Sequence, residues 1–386
     1  MKLILKLLAG IVLGMLVGLF APDWITRLLL TFKGLFGQLL FFTIPLLILF
    51  FITSGIAGLP GNSGRLLGRT LGTAYASTIV AGTLAFLVAS LLVPMLTGDT
   101  PDRSATESAA ALTPFIEMNI PPLMGIMSAL VTAFIFGLGI AATGADSLKK
   151  ASDEGRDVIE KLLSKVIIPL LPIYIAGVFA ELAAAGTVFS TLRTFGVVLA
   201  MAVSLHWLWI IVLYTLAGLR AGRSPFGLIK NMLPAYFTAL GTMSSAATIP
   251  VTLRAVRNND VREDVADFAV PLCATTHLSG STITIVSCAV AVMVVTESLA
   301  VPSLLTVLPF IFMLGLVMLA APGVPGGAVM SAVGLLGSML GFGETSIALM
   351  IALYMAQDSF GTACNVTGDG AIAVLVDQAG KAEAKG

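Results

Sequence analysis

The sequence predicts an all-α polytopic membrane protein, and three observations carry that prediction. Of its 386 residues, 57% are hydrophobic and 11% charged, with a mean hydropathy of +1.01. A water-soluble core could not hide that much apolar surface, and the apolar residues fall in runs long enough to cross a bilayer, about 20 residues each. The 39 glycines and 18 prolines fit closely packed and interrupted membrane helices better than plain spans. Formal charge is zero, with no basic patch or nucleic-acid motif, so no nucleic-acid partner is expected. Cys273, Cys288 and Cys364 lie in apolar runs without metal-site spacing and read as small core residues. His206, beside Trp207 and Trp209, reads as a packing or interfacial residue.

In chain order, Lys2–Phe20 has the charge and length of a signal peptide but no small-x-small cleavage site. With Pro22-Asp23 as a turn, it reads as a retained first helix, 2–20. An amphipathic stretch, 24–35, precedes the second span, 36–58. The third span is 68–96, and the polar, proline-bearing 98–122 is a loop. The fourth span is 123–146. A charged block, Lys149–Lys165, opens a surface helix leading into the fifth span, which ends near 185. The sixth is 194–219. Residues 226–256 carry a serine pair and a proline in mid-run, and 301–341 carry A-A-P-G-V-P-G-G. Both read as interrupted, re-entrant hairpins, which in transporters flank a binding site. Between them lies the seventh span, 266–296, with a polar centre, A-T-T-H-L-S-G-S-T-I. The eighth is 343–378.

Charge tests this topology. With the N-terminus inside and both hairpins returning to their own side, only Arg27, Lys33, Arg103 and Arg193 of the 21 Lys and Arg fall outside. That is a strong positive-inside bias. It supports eight spans, two hairpins, a multi-pass location in the cell (inner) membrane with lipid around it, and both termini in the cytoplasm.

The chemistry concentrates in the last span. At about 100° per residue, Thr362, Asn365 and Asp369 lie roughly 40°, −20° and 20° from Asp358, on one stripe. Carboxylates in hydrocarbon are costly and mark an ion or substrate path. Gly361 and Gly368 lie close to the stripe and leave room for ligand or backbone to approach.

Three local motifs then point to a family. They are Ser244-Ser245-Ala246-Ala247-Thr248-Ile249-Pro250, Gly323-Val324-Pro325-Gly326-Gly327 and Asn365-Val366-Thr367-Gly368-Asp369. Together with the order of segments they resemble the dicarboxylate/amino acid:cation symporters, the glutamate-transporter fold. The resemblance implies inverted repeats and an elevator-type homotrimer. Its scaffold would include 1–58 (spans one and two) and 123–193 (spans four and five). Its transport domain would take the third span, within 59–122, and the core within 194–386. It also implies substrate binding by Ser244, Ser245, Gly326, Asp358, Gly361, Thr362 and Asn365. Asp358 and Thr362 would take the α-amino group, and Asn365 the carboxylate. Sodium, the coupling ion in the absence of any organic cofactor, would be held by Asp369, Asn365 and carbonyls at Cys273 and His277. A second site would use carbonyls near Thr275, Met318, Leu319 and Ala321.

Two departures bear on substrate and ions. Gly361 and Met243 stand where relatives that take acidic substrates carry arginines, so a side-chain carboxylate would find no bidentate cation. The expected substrate is therefore a small neutral amino acid. The family's N-M-D-G-T reads His277-Leu278-Ser279-Gly280-Ser281 here. By the same resemblance Tyr75 and Thr78 align with the other ligands of a third cation site, which His277 and Ser279 alter and where Ile79 replaces a serine, and two or fewer sodium ions are expected. His277 either carries a proton or is a neutral residue bonded to Tyr75 or a carbonyl. The alternatives are an acid carrier that recognises its anion without arginine, a channel, and an intramembrane aspartyl enzyme. Against the enzyme, both acids sit on one helix, Val366 replaces the first glycine of G-x-G-D, and no H-E-x-x-H is present.

Overall fold

The computed structural model describes residues 2–58, 64–97, 112–296, 298–319, 321, 323 and 325–383. Most of the expected loop 98–122, and Val324 of the second tip, lie outside them. The regular structure among the described residues is helical throughout: fourteen α-helices and one π-helical turn. Among the described residues seven helical segments are long and apolar enough to cross a membrane, against eight expected; the apolar part of the first helix is shorter.

α1 (Lys2–Phe20) lies along α6 (Ile168–Ala184). Gly10, Gly14 and Gly18, four residues apart, admit the backbone of Pro172, Ala176 and Ala180; a Cβ at any of the three would collide with a carbonyl oxygen there. In a bilayer, where apolar attraction between helices is weak, such close backbone contact supplies the packing. Gly14→Leu is therefore expected to lower stability by more than about 2 kcal/mol, read as a large fall in the melting temperature of the purified protein; an unchanged melt would mean that α1 packs elsewhere.

α2 (Asp23–Ala57) is one continuous helix and passes through Pro45. The expected separate stretch 24–35 is its first third. No breaker separates the two parts, and Asp23 sits favourably in the first turn. Residues 112–125 run along α2 in an irregular path. They are held by Arg27 Nε to Thr113 O (2.8 Å), Phe115 N to Thr31 Oγ1 (2.8 Å) and Ile120 N to Gln38 Oε1 (3.1 Å).

α3 (Gly64–Thr97) packs on α11 (Ser279–Val295), and α4 (Ile126–Thr143) on α2. The charged helix α5 (Asp146–Leu162) is pinned to α2 where Ser54 Oγ donates to Asp153 (2.6 Å) and Arg156 donates to Ser54 (3.0 Å). It runs into α6 through a π turn, Leu163–Ile167, in which Ile168 N–H bonds Leu163 O five residues back. Pro169 explains the shift: it has no N–H, and its ring crowds the carbonyl four residues earlier.

α7 (Val188–Ala221) leads to the interrupted half. The first broken segment is α8 (Pro225–Thr242) and α9 (Ser245–Arg257), which pack on each other. The seventh span splits into α10 (Glu263–Thr276) and α11 (Ser279–Val295), broken at His277-Leu278. The second broken segment is α12 (Leu304–Met318) and α13 (Gly327–Leu340). α14 (Glu344–Glu383) packs on α7, α8, α9, α10 and α11. The apolar windows of α10–α11 and α14 are each 89% buried, against 33% for α3 and 28% for α4, so these two elements form the centre. One end of α14 is fixed by Asp377, fully buried, which accepts from Arg262 Nε (2.7 Å) and is ion-paired with Lys381 (2.6 Å).

Candidate substrate and cation site

The site lies where three breaks meet the middle of α14. α8 ends at Met243, whose φ of 54° is left-handed, and Ser244 starts α9 by accepting from Ala247 N (3.3 Å). Ser244 Oγ also donates to Gly323 O (2.9 Å), which joins the two broken segments at their tips. α13 starts after Gly326, at φ +75°; its N–H donates to Asp358 Oδ2 at 2.7 Å. A Cβ on Gly326 would stand 2.7 Å from Met355 Sδ, so this position needs glycine for both its conformation and its space. The other oxygen of Asp358 accepts from Tyr354 Oη (2.9 Å), one turn back on α14. Asp358 is 3% exposed, and both these partners are neutral.

Met243, Ser245, Ser281, Asp358, Thr362 and Asn365 line one cavity with Leu278, Gly323, Ala328 and Tyr354. It measures about 20 Å³, room for about one water. That is too little for an amino acid.

Asn365 is engaged already. Its Oδ1 accepts from Gly280 N (2.7 Å) and Ser281 N (3.1 Å), and its Nδ2 donates to Ser281 Oγ (2.9 Å). It thus caps the N-terminus of α11 from another helix, satisfying donors that the break leaves open. The second N–H of its amide remains for the cavity. The contact is close because Gly280 lacks a side chain: a Cβ there would strike Gly361 O and lie 2.6 Å from Cys364 Cβ.

Several expected site residues stand elsewhere. A Cβ on Gly361 would point at Thr284 Oγ1 (3.2 Å), so the volume this glycine frees is taken by α11 and does not enlarge the cavity. Asp369 shares the stripe by angle but lies too far along α14 to line the cavity. Its Oδ1 is 2.9 Å from His277 Nδ1, with exposures of 1% and 0%. His277 Nε2 is 2.9 Å from Ser77 Oγ on α3. Gly368 makes this possible, since a Cβ there would be 2.7 Å from the ring. The imidazole's partners are thus Asp369 and Ser77, in place of the expected Tyr75 or carbonyl. Tyr75 donates to Phe312 O (3.2 Å) and Thr78 to Ala74 O (2.9 Å). Ser279 is buried and its hydroxyl has no hydrogen-bond partner among the described residues.

Of the carbonyl set, Cys273 O accepts from His277 N (2.8 Å). Thr275 is exposed and donates to Leu272 O (3.0 Å). Met318, Leu319 and Ala321 stand at the end of α12, where Ala321 N approaches Met318 O at 3.5 Å. His206 is no interfacial residue. It is 1% exposed, and its Nε2 lies 3.0 Å from both Gly280 O and Thr284 Oγ1. The sequence reading missed Tyr354 and Ser77. The spacing of Tyr354, four residues before Asp358, could have found it; Ser77 carried no signal of its own.

The family model described as "Sodium:dicarboxylate symporter family" matches residues 3–379. The chain belongs to the sodium:dicarboxylate symporter family. Membership makes this a multi-pass membrane transporter and removes the intramembrane enzyme. Within the family the chain is similar to proteins named serine/threonine transporter SstT. The Streptococcus suis protein is 31% identical over 299 residues, 74% of this chain and 81% of that one. The Enterococcus faecalis protein is 26% identical over 396 residues (96% and 90%), and one from Acinetobacter baumannii is 27% identical over 397 (98% and 96%).

Proposed function

We propose that this symporter takes up a small neutral amino acid with sodium, binding it between the two hairpin tips and the middle of α14. The observation that carries the reading is Asp358, a buried carboxylate with neutral donors and, among the described residues, no cation beside it, at a cavity where Met243 stands in place of an arginine. A buried carboxylate calls for a cationic partner, which an α-ammonium group supplies. Thr362 adds an acceptor. The substrate carboxylate takes the free N–H of Asn365 and donors near Ser245. The names of the relatives, serine/threonine transporters, support a neutral substrate of serine size.

In this reading α8–α9 and α12–α13 are re-entrant hairpins, opening one tip admits substrate, and the bond from Ser244 to Gly323 closes it. α3 and α7 to α14 move as a transport domain against a trimeric scaffold built on α2, α4 and α6, with both termini in the cytoplasm. Asp369 is the charged sodium ligand. The third cation site is not retained, because Ser279 brings no carboxylate and Ile79 no oxygen.

Uptake by the full chain in proteoliposomes tests this. Serine, threonine or alanine should accumulate only under an inward sodium gradient, and the membrane potential at which flux reverses should give two or fewer sodium ions per substrate. Sodium-independent uptake, or a count of three, would refute the corresponding half.

A further inference from the structure

His206 has so far had no function. It projects from α7 into the centre of the molecule and meets a single peptide unit, Gly280–Ser281, in the first turn of α11. The carbonyl of that unit, Gly280 O, lies 3.0 Å from His206 Nε2, and its N–H, on Ser281, donates to Asn365 Oδ1 at 3.1 Å. The same peptide is thus held from one side by His206 and from the other by Asn365. Thr284 Oγ1 completes the His206 side, 3.0 Å from Nε2 and 3.1 Å from Gly280 O. The backbone of α7 is tied to α14 as well: Cys364 Sγ donates to His206 O at 3.7 Å, one residue from Asn365.

The tautomer follows from the partners. A carbonyl only accepts, so Nε2 carries the proton. Nδ1 is buried and reaches no hydrogen-bond partner among the described residues, so it carries none. The ring is therefore a neutral, one-sided donor. Hydrogen bonds in series through a peptide strengthen one another in a low-dielectric interior. An N–H···O=C bond at Gly280 makes the Ser281 N–H a better donor to Asn365. It also fixes the rotation of the first turn of α11, on which the Asn365 amide is aligned. The break at His277-Leu278 makes such support necessary, because the turn has no preceding helical residues to hold it.

We propose that His206 is a positioning residue for substrate binding: through the Gly280–Ser281 peptide it orients Asn365, and so sets substrate affinity without touching substrate. This rests on the transport reading above.

Two near-isosteric polar variants test it. Glutamine brings its amide nitrogen to about the reach of Nε2, asparagine only to that of Nδ1. In proteoliposomes at saturating sodium, His206→Asn should raise the KM for serine about tenfold with Vmax within about twofold of wild type, the loss of roughly one buried hydrogen bond. His206→Gln should stay within about twofold of wild type in both. Asn and Gln variants that behave alike, or an effect confined to Vmax, would overturn the role of His206 alone. A wild-type chain that takes up no serine would overturn this inference together with the transport reading.

Discussion

Asp358→Asn is expected to fold and insert as the wild type does, yet lose roughly 100-fold or more in kcat/KM for sodium-driven serine uptake. Folding survives because an asparagine oxygen can still accept from Gly326 N–H or Tyr354 Oη, the two donors that hold the side chain now. Binding does not, because the ammonium of the substrate would enter a buried site without its counter-charge. Removing one member of a desolvated charge pair costs about 2–5 kcal/mol, and about 2.8 kcal/mol of that range gives the stated factor. Uptake kinetics and a melting curve of the same preparation read the two effects separately. A variant that keeps wild-type KM would mean that the amino group binds elsewhere.

The second large effect concerns Asp369 and His277, whose replacements should move sodium dependence in opposite directions. In Asp369→Asn the full charge is lost, and the sodium concentration for half-maximal uptake should rise about tenfold or more. Substrate affinity should follow through coupling between the sites. In His277→Ala the carboxylate loses its Nδ1 partner at 2.9 Å and is left buried and unpaired. That should lower stability without sodium by several kcal/mol, and restore it when sodium takes the vacated position. Melting in sodium chloride against choline chloride measures this directly: the sodium-induced gain should be larger in His277→Ala than in wild type, and absent in the double variant with Asp369→Asn. Equal gains in all three would place sodium away from Asp369.

The site was legible in the sequence as far as helical periodicity reaches. Asp358, Thr362 and Asn365 share one face of α14 and do line one cavity. Periodicity gives angle but not depth. Asp369 shares the angle, yet three turns on it faces the break between α10 and α11, and His277 fills the position. The same limit applied to Gly361, whose open side is set by how α11 lies across α14. The choice of Ser77 over Tyr75 and Thr78 depends on the rotation of α3 against α11. A close approach at Gly82, where a Cβ would stand 2.9 Å from Thr282, fixes that rotation, and no single helix encodes it. His206, beside two tryptophans, read as either a packing or an interfacial residue; α7 packs on both α11 and α14 and carries the histidine inward. The breaks themselves were legible, since glycine, proline and paired serines in apolar runs have few other uses in a membrane.

The central claim is that an α-ammonium group pairs with Asp358 in a site whose described lining holds no cation for a second carboxylate. Equilibrium competition against radiolabelled serine on the purified, sodium-bound full-length protein tests it most directly. Unlabelled serine, threonine and alanine should displace the label, while 3-hydroxypropionate, which lacks the amino group, and succinate should not at hundredfold higher concentration. Displacement by succinate at concentrations comparable to serine would contradict the account.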